Sequence, residues 1–169
     1  MTEQTATSHF AATISSDTRF ADLDLDASLM KGIEALGFES CSPIQAKILP
    51  YTLEGHDAIG KAQTGTGKTA AFLITLFNDL LANPIEEERY LAEPRAVVIA
   101  PTRELVMQIA EDARHLGRFT GLSTVTLIGG MDYAKQLQKV NQRPTDIVVA
   151  TPGRLIDFLQ RGDIQLDRV

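Results

Sequence analysis

Ala62-Gln63-Thr64-Gly65-Thr66-Gly67-Lys68-Thr69 decides how the rest of this 169-residue chain is read. A loop of that composition holds no regular structure, yet it runs straight into Lys68-Thr69-Ala70-Ala71-Phe72-Leu73-Ile74-Thr75-Leu76-Phe77, which reads as the opening of an amphipathic helix. Gly65 and Gly67 let the backbone curl so that successive N–H groups converge. The free N–H groups and positive dipole end of the helix face the same point, which favours an anion. The stretch therefore reads as a phosphate cradle, with Lys68 reaching β- and γ-phosphates and the Thr69 hydroxyl placed to coordinate Mg²⁺. Lys68 and Thr69 are the candidate catalytic residues, and Ala62 to Thr69 the candidate nucleotide loop. The pattern G-x-x-x-x-G-K-[ST] is met except that Ala62 holds the first glycine position. The plain alternative is a Gly/Thr-rich surface turn before an ordinary helix.

Outward from that loop, 44% apolar residues suffice for a real core in a chain of one domain's length. No basic residue or apolar run of signal-peptide length precedes Arg19, and nowhere do eighteen apolar residues follow one another, which makes a cytoplasmic protein the expectation. The one cysteine, Cys41, excludes an internal disulfide and a cysteine-based metal cluster, and reads as small-residue packing. His9, His56 and His115 lack ligand spacing and read as surface residues. A net charge of −6 argues against a broad nucleic-acid-binding face, so any such contact must be local.

Residues 1–18, rich in Ser, Thr and Ala, fit a disordered tail, with an ordered domain over 19–169. Asp26-Ala27-Ser28 caps a helix carrying Leu29, Ile33 and Leu36 and ended by Gly37. Ser42-Pro43 starts a second, stopped by Pro50 and Gly55. Asp57 to Lys61 is inferred to be the strand feeding the phosphate loop, although its own strand signal is weak. The helix after the loop is expected to bury Phe72, Leu73, Leu76, Phe77, Leu80 and Leu81 and to end at Asn83-Pro84. A polar connection containing Glu86-Glu87-Glu88-Arg89 follows. Strands at Ala96 to Ala100, Leu122 to Ile128 and Asp146 to Ala150 then alternate with helices from Thr102, over Met131 to Gln142 and over Arg154 to Gln160. Four such alternations without a hairpin signal predict an α/β fold, a parallel sheet flanked by helices on both faces.

In an open parallel sheet ligands bind at the carboxyl edge, and four segments fall there. Beside Gly65 to Thr69 these are Pro101-Thr102-Arg103, Gly129-Gly130 and Thr151-Pro152-Gly153-Arg154. They supply small residues, N–H groups, hydroxyls and arginines, the parts that hold sugar and phosphate without reading bases. Singly, Thr102 and Thr151 read as helix caps and Gly129-Gly130 as a strand-ending turn; on one rim beside a nucleotide site the functional reading overtakes these. Arg154 could pair with a carboxylate of the fold, whereas Arg103 at a helix start opposes the dipole.

On these residues the chain resembles the DEAD-box ATP-dependent RNA helicases, whose fold is a RecA-like P-loop domain. Gly37 to Gln45, with Phe20 upstream, looks like the family's Q motif, and Ala62 to Thr69 is similar to motif I, where alanine at the first position is usual. Pro101 to Leu105 resembles motif Ia, Gly129-Gly130 the GG doublet, and Thr151 to Arg154 motif Ib. The connection around Glu86 and Tyr133 to Leu137 look most like the bacterial RNA helicase B group. The resemblance implies ATP and Mg²⁺ as cofactors. It places Phe20, Phe38, Ser42 and Gln45 on the nucleotide, with Phe20 stacking on adenine and the Gln45 amide reading its edge. It implies RNA as partner, held through its backbone by Pro101, Thr102, Arg103, Gly129, Gly130, Thr151, Pro152, Gly153 and Arg154.

The family's Asp-Glu-Ala-Asp sequence is absent from the 169 residues, as are a second RecA-like domain and its arginine finger. The expectation is an incomplete first domain that binds nucleotide but neither hydrolyses it nor unwinds RNA by itself, in a parent that separates short RNA duplexes with ATP. The alternatives are a stand-alone adenine-nucleotide-binding or protein-interaction module, and a DNA helicase or other P-loop ATPase. The Gln45 and Phe20 arrangement disfavours the last.

Overall fold

The computed structural model describes residues 18–85 and 90–169; most of the proposed tail, His9 and the Glu86 to Arg89 run lie outside them. A short 3-10 turn at Phe20–Asp22 leads into α1 (Ala27–Ala35) and α2 (Pro43–Leu53), and α3 (Lys68–Ala82) follows the glycine loop. Strand and helix then alternate as β1 (Ala96–Ile99), α4 (Arg103–Leu116), β2 (Thr124–Leu127), α5 (Tyr133–Val140), β3 (Ile147–Ala150) and α6 (Pro152–Arg161).

The helix starts follow from their caps. Asp26 accepts from Ser28 N at 2.7 Å and Thr102 from Leu105 N at 3.2 Å, whereas Thr151 makes no side-chain cap. Pro50 does not stop α2. Its missing N–H forfeits only the bond to the Ala46 carbonyl, and the helix runs on to Leu53 before Gly55 turns with φ +85°.

The three strands are parallel in the order β1-β3-β2, with Ala96 and Thr124 both level with Ile147 of the central strand. Alternation along β3 divides the core in two. Ile147 and Val149 pack with α1 to α4 on one face, while Val148 and Ala150 pack with Val140, Leu155 and Phe158 of α5 and α6 on the other. At the far end of the sheet Asp146 accepts from Ser123 N at 2.7 Å, and Arg95, 4.0 Å from that carboxylate, donates to Leu80 O at 3.0 Å. The helix face is as close: a Cβ on Gly32 would lie 2.0 Å from the Leu116 carbonyl oxygen. Cys41 is buried, which together with the Asp22 charge pushes its thiol up to about 11.

The structure corrects two further expectations. Asp57 to Lys61 forms no strand: Ile59 is fully exposed, and β1 is the edge of the sheet. Glycine, alanine and a single β-branched residue give the segment little reason to pair. It leans instead on α2, where a Cβ at Gly60 would sit 3.1 Å from Ile48 Cδ1. Phe72 is 39% exposed, because Leu73, Ile74, Phe77 and Leu80 take the core stripe of α3 and turn Phe72 out of it.

Candidate functional site

With no strand beneath it, the glycine loop is held from the side by α2. Gly65 and Gly67 adopt φ +77° and +90°, the left-handed conformation that curls the backbone into a nest. Ser42 Oγ donates to Thr66 O at 2.7 Å and Gln45 Nε2 to Gly67 O at 3.1 Å, while Gln45 Oε1 accepts from Ser42 N at 2.8 Å. The fit is tight: a Cβ on Gly67 would meet Gln45 Nε2 at 2.4 Å. The Lys68 ammonium bridges the carbonyls of Ala62 and Gln63, the latter at 2.7 Å, and Thr66 Oγ1 donates to Gln63 O at 2.7 Å. Lys68 therefore closes the loop on itself, and its third N–H remains for another acceptor. The Thr69 hydroxyl carries no hydrogen bond among the described residues.

Beside the loop lies an open cleft of about 1220 Å³ between α2, α3 and α4 on one side and Val97 to Pro101 on the other. Gln63 to Thr69 and Phe38 line it. Its size reflects the separation of residues 55–61 from the β1 edge, where Ile99 is 60% exposed.

The adenine-side residues divide. Phe20 is 1% exposed and packs in the core, stacked at 6.4 Å on Phe38. Its faces are spent on protein, whereas Phe38 and Phe72 both line the cleft, Phe38 being the one stacked on Phe20. Gln45, 6% exposed, uses one N–H and one lone pair on Ser42 and Gly67. An amide keeps a second of each.

On the rim, the structure brings three predicted segments together around one loop. A Cβ on Gly130, where φ is +74°, would lie 2.5 Å from Arg103 Nη1, so the Arg103 side chain rests on that glycine. The Arg103 side chain makes no hydrogen bond or ion pair among the described residues. The Arg154 guanidinium donates to Met131 O at 3.2 and 3.3 Å, lies 3.9 Å from Asp157, and stands 5.5 Å over the Tyr133 ring. Pro101, Thr102, Pro152 and Gly153 are exposed, and Thr151 is buried with its N–H donated to Leu127 O at 3.0 Å.

Sequence reasoning missed the residues that build this loop. Gln136 is 5% exposed and its amide pairs with Ile128 N at 2.8 Å and Ile128 O at 3.2 Å. The available signal was a glutamine four positions before Val140, on the core stripe of α5. Tyr133 is the other: its hydroxyl donates to Asp163, and burial with that neighbouring carboxylate pushes it up to about 12.

The family pattern described as DEAD/DEAH box helicase matches residues 42–169 of the chain, which includes the α2 clamp, the glycine loop and all three rim segments. The chain belongs to the DEAD/DEAH box helicase family. Curated relatives include the ATP-dependent RNA helicase RhlB of Pseudomonas aeruginosa, 60% identical over 152 residues, which are 90% of this chain and 38% of the relative. The protein of the same name from Pseudomonas putida is 59% identical over 152 residues, again 90% and 38%. That of Aliivibrio salmonicida is 48% identical over 153 residues, 90% of this chain and 35% of the relative. This DEAD/DEAH box helicase chain thus spans 38% or less of the length of these relatives. Among its described residues no helix is long and apolar enough to cross a membrane, and no group of three His, Cys, Asp or Glu could hold a metal ion. The Thr69 hydroxyl, without a hydrogen bond among the described residues, is an oxygen of the kind Mg²⁺ takes beside nucleotide phosphates, so the loop fits a metal brought in with a nucleotide.

Proposed function

We propose that this chain is the ATP-binding portion of a cytoplasmic, ATP-dependent RNA helicase, and that it also contributes part of the surface that grips the RNA backbone. The observation that carries this is that one chain holds both a clamped glycine loop and, separately, two arginines gathered on the Gly129 to Met131 loop. The names of the relatives support it.

Gly65 to Thr69 and the first turn of α3 would hold the triphosphate, with Lys68 exchanging loop carbonyls for phosphate oxygens. Thr69 would hold Mg²⁺. ATP, when bound, supplies the phosphoanhydride whose cleavage drives the cycle. Gln45, through its remaining N–H and lone pair, would read the adenine edge, with Phe38 as the aromatic face and Phe20 stacked beside it. Pro101, Thr102 and Arg103, Gly129 and Gly130, and Thr151 to Arg154 would hold sugar and phosphate, independent of base sequence. Hydrolysis and strand separation belong to the whole protein, and the chain by itself binds nucleotide without turning it over.

Calorimetry with ATP, GTP and single-stranded RNA tests this. ATP should bind more tightly than GTP, and Gln45→Ala should abolish the preference while Lys68→Ala weakens both. Equal affinities for ATP and GTP in the unaltered chain would remove adenine recognition from the assignment, and RNA-stimulated phosphate release by the chain alone would overturn its inactivity.

A further inference from the structure

Gln136 is a buried, neutral group spent entirely on the backbone of one loop. Its Oε1 accepts from Ile128 N at 2.8 Å and its Nε2 donates to Ile128 O at 3.2 Å, so the amide pairs with both polar groups of the residue that follows β2. It thereby takes the place of one more strand residue and ends the ladder, and the chain turns at Gly129-Gly130. The same Nε2 reaches Met131 O at 3.4 Å and Asp132 O at 3.3 Å on the far side of the turn. One side chain therefore fixes the loop at its entry and its exit.

Both rim arginines are seated on what lies between. Arg103 rests on Gly130, and Arg154 donates to the Met131 carbonyl that Gln136 also contacts. One turn earlier on α5, the Tyr133 ring meets Arg154 at 5.5 Å and Arg161 at 4.6 Å, each measured to its centroid. Its hydroxyl ties it to Asp163 beyond α6. A guanidinium left to itself samples many rotamers, and ordering it on a ligand costs entropy. Seating both arginines on one rigid loop lowers that cost.

We infer that Gln136 is a positioning residue that sets the spacing of Arg103 and Arg154 for two phosphates of the RNA backbone. This rests on the RNA-binding function proposed above. Gln136 itself touches no RNA, being buried beneath the loop.

The test is binding of a labelled single-stranded oligouridylate to the full protein across a salt series. Gln136→Met keeps the shape and removes all four hydrogen bonds; Gln136→Glu turns the donor into an anion facing carbonyl oxygens. Each should weaken RNA binding roughly fivefold or more and make the log–log salt slope shallower by about 0.7 for each phosphate no longer gripped. Affinity for a non-hydrolysable ATP analogue should stay unchanged, which also reports that the variant is folded. Should Gln136→Glu fail to fold, Gln136→Met alone carries the comparison. In an Arg103→Ala/Arg154→Ala background, Gln136→Met should add nothing further. An equal weakening in that background, or none where the arginine variants bind weakly, overturns the positioning role. If the arginine variants bind RNA as the unaltered protein does, the RNA function itself fails and the inference falls with it.

Discussion

Replacing Gly67 by alanine should destabilise the protein markedly more than the same replacement at Gly65, although both glycines have left-handed backbone. With φ +90° and +77°, each alanine bears about 1–2 kcal/mol for its Cβ. At Gly65 the cost ends there, since nothing lies within 4 Å of the added methyl. At Gly67 the methyl would meet Gln45 Nε2 at 2.4 Å and Ser42 Oγ at 3.0 Å. Gln45 must swing away and give up its bonds to Gly67 O and from Ser42 N, each worth about 0.5–1.5 kcal/mol net. The expected excess of Gly67→Ala over Gly65→Ala is therefore about 1–3 kcal/mol. Urea unfolding with matched m-values measures it. The decisive comparison repeats both substitutions in a Gln45→Ala background, where the excess should disappear. Equal costs in the unaltered protein, or an excess that survives removal of the Gln45 side chain, would refute the claim that α2 clamps the loop.

Outcomes for three further substitutions follow from the packing and the caps. Gly32→Ala drives a methyl to within 2.0 Å of the Leu116 carbonyl oxygen, backbone that cannot rotate aside, and should cost about 3 kcal/mol or more by urea unfolding; Gly129→Ala, with nothing within 4 Å, should stay within about 0.5 kcal/mol. Asp26→Ala should cost about 1 kcal/mol at neutral pH by removing the α1 cap. The Ser28 hydroxyl first, then its N–H, holds the Asp26 carboxyl below its ordinary 3.8, so this stabilisation is present above that value and lost as pH falls through the lower folded one. Unfolding curves of the two proteins should accordingly converge in acid.

Much of the fold was legible because local chemistry and tertiary context agreed. Asp26, Ser42 and Thr102 stand as N-caps, Asn83 and Gly162 as C-caps, and the three apolar runs from Ala96, Leu122 and Asp146 contain the three strands. Only the loop that follows argues for a strand at Asp57 to Lys61, and with weak intrinsic preference nothing local holds that segment to the sheet. The family resemblance puts Phe20 on the nucleotide; in the structure its own N–H bonds back to Glu39 O at 3.1 Å and its ring lies in the core, a placement no local pattern carries. Arg103 was legible as an oddity at a helix start, but its seat on Gly130 depends on two loops 27 positions apart in sequence, a relation no local pattern carries. In the sequence Gln136 counts only as part of the Tyr133 to Leu137 resemblance, because a helical glutamine ordinarily faces water and nothing local marks this one as buried.

Gln136 and Gln45 solve one physical problem twice. Each glycine loop must curl through left-handed backbone, at Gly65 and Gly67 and again at Gly130, and so leaves carbonyls and N–H groups that neither helix nor strand satisfies. A buried carboxylate could accept but not donate, and a lysine could donate but not accept; either would also bring a charge needing a partner. A glutamine amide does both without charge. Gln45 takes the N–H of Ser42 and the carbonyl of Gly67, and Gln136 takes the N–H and carbonyl of Ile128. At 6% and 5% exposure, both are rigid enough to fix a loop while leaving its outer surface open. Loops held from beneath in this way keep their outward N–H groups and arginines free for an anion. On a chain of net charge −6 the overall field repels anions, so the proposed binding of nucleotide and RNA phosphates depends on such local arrangements.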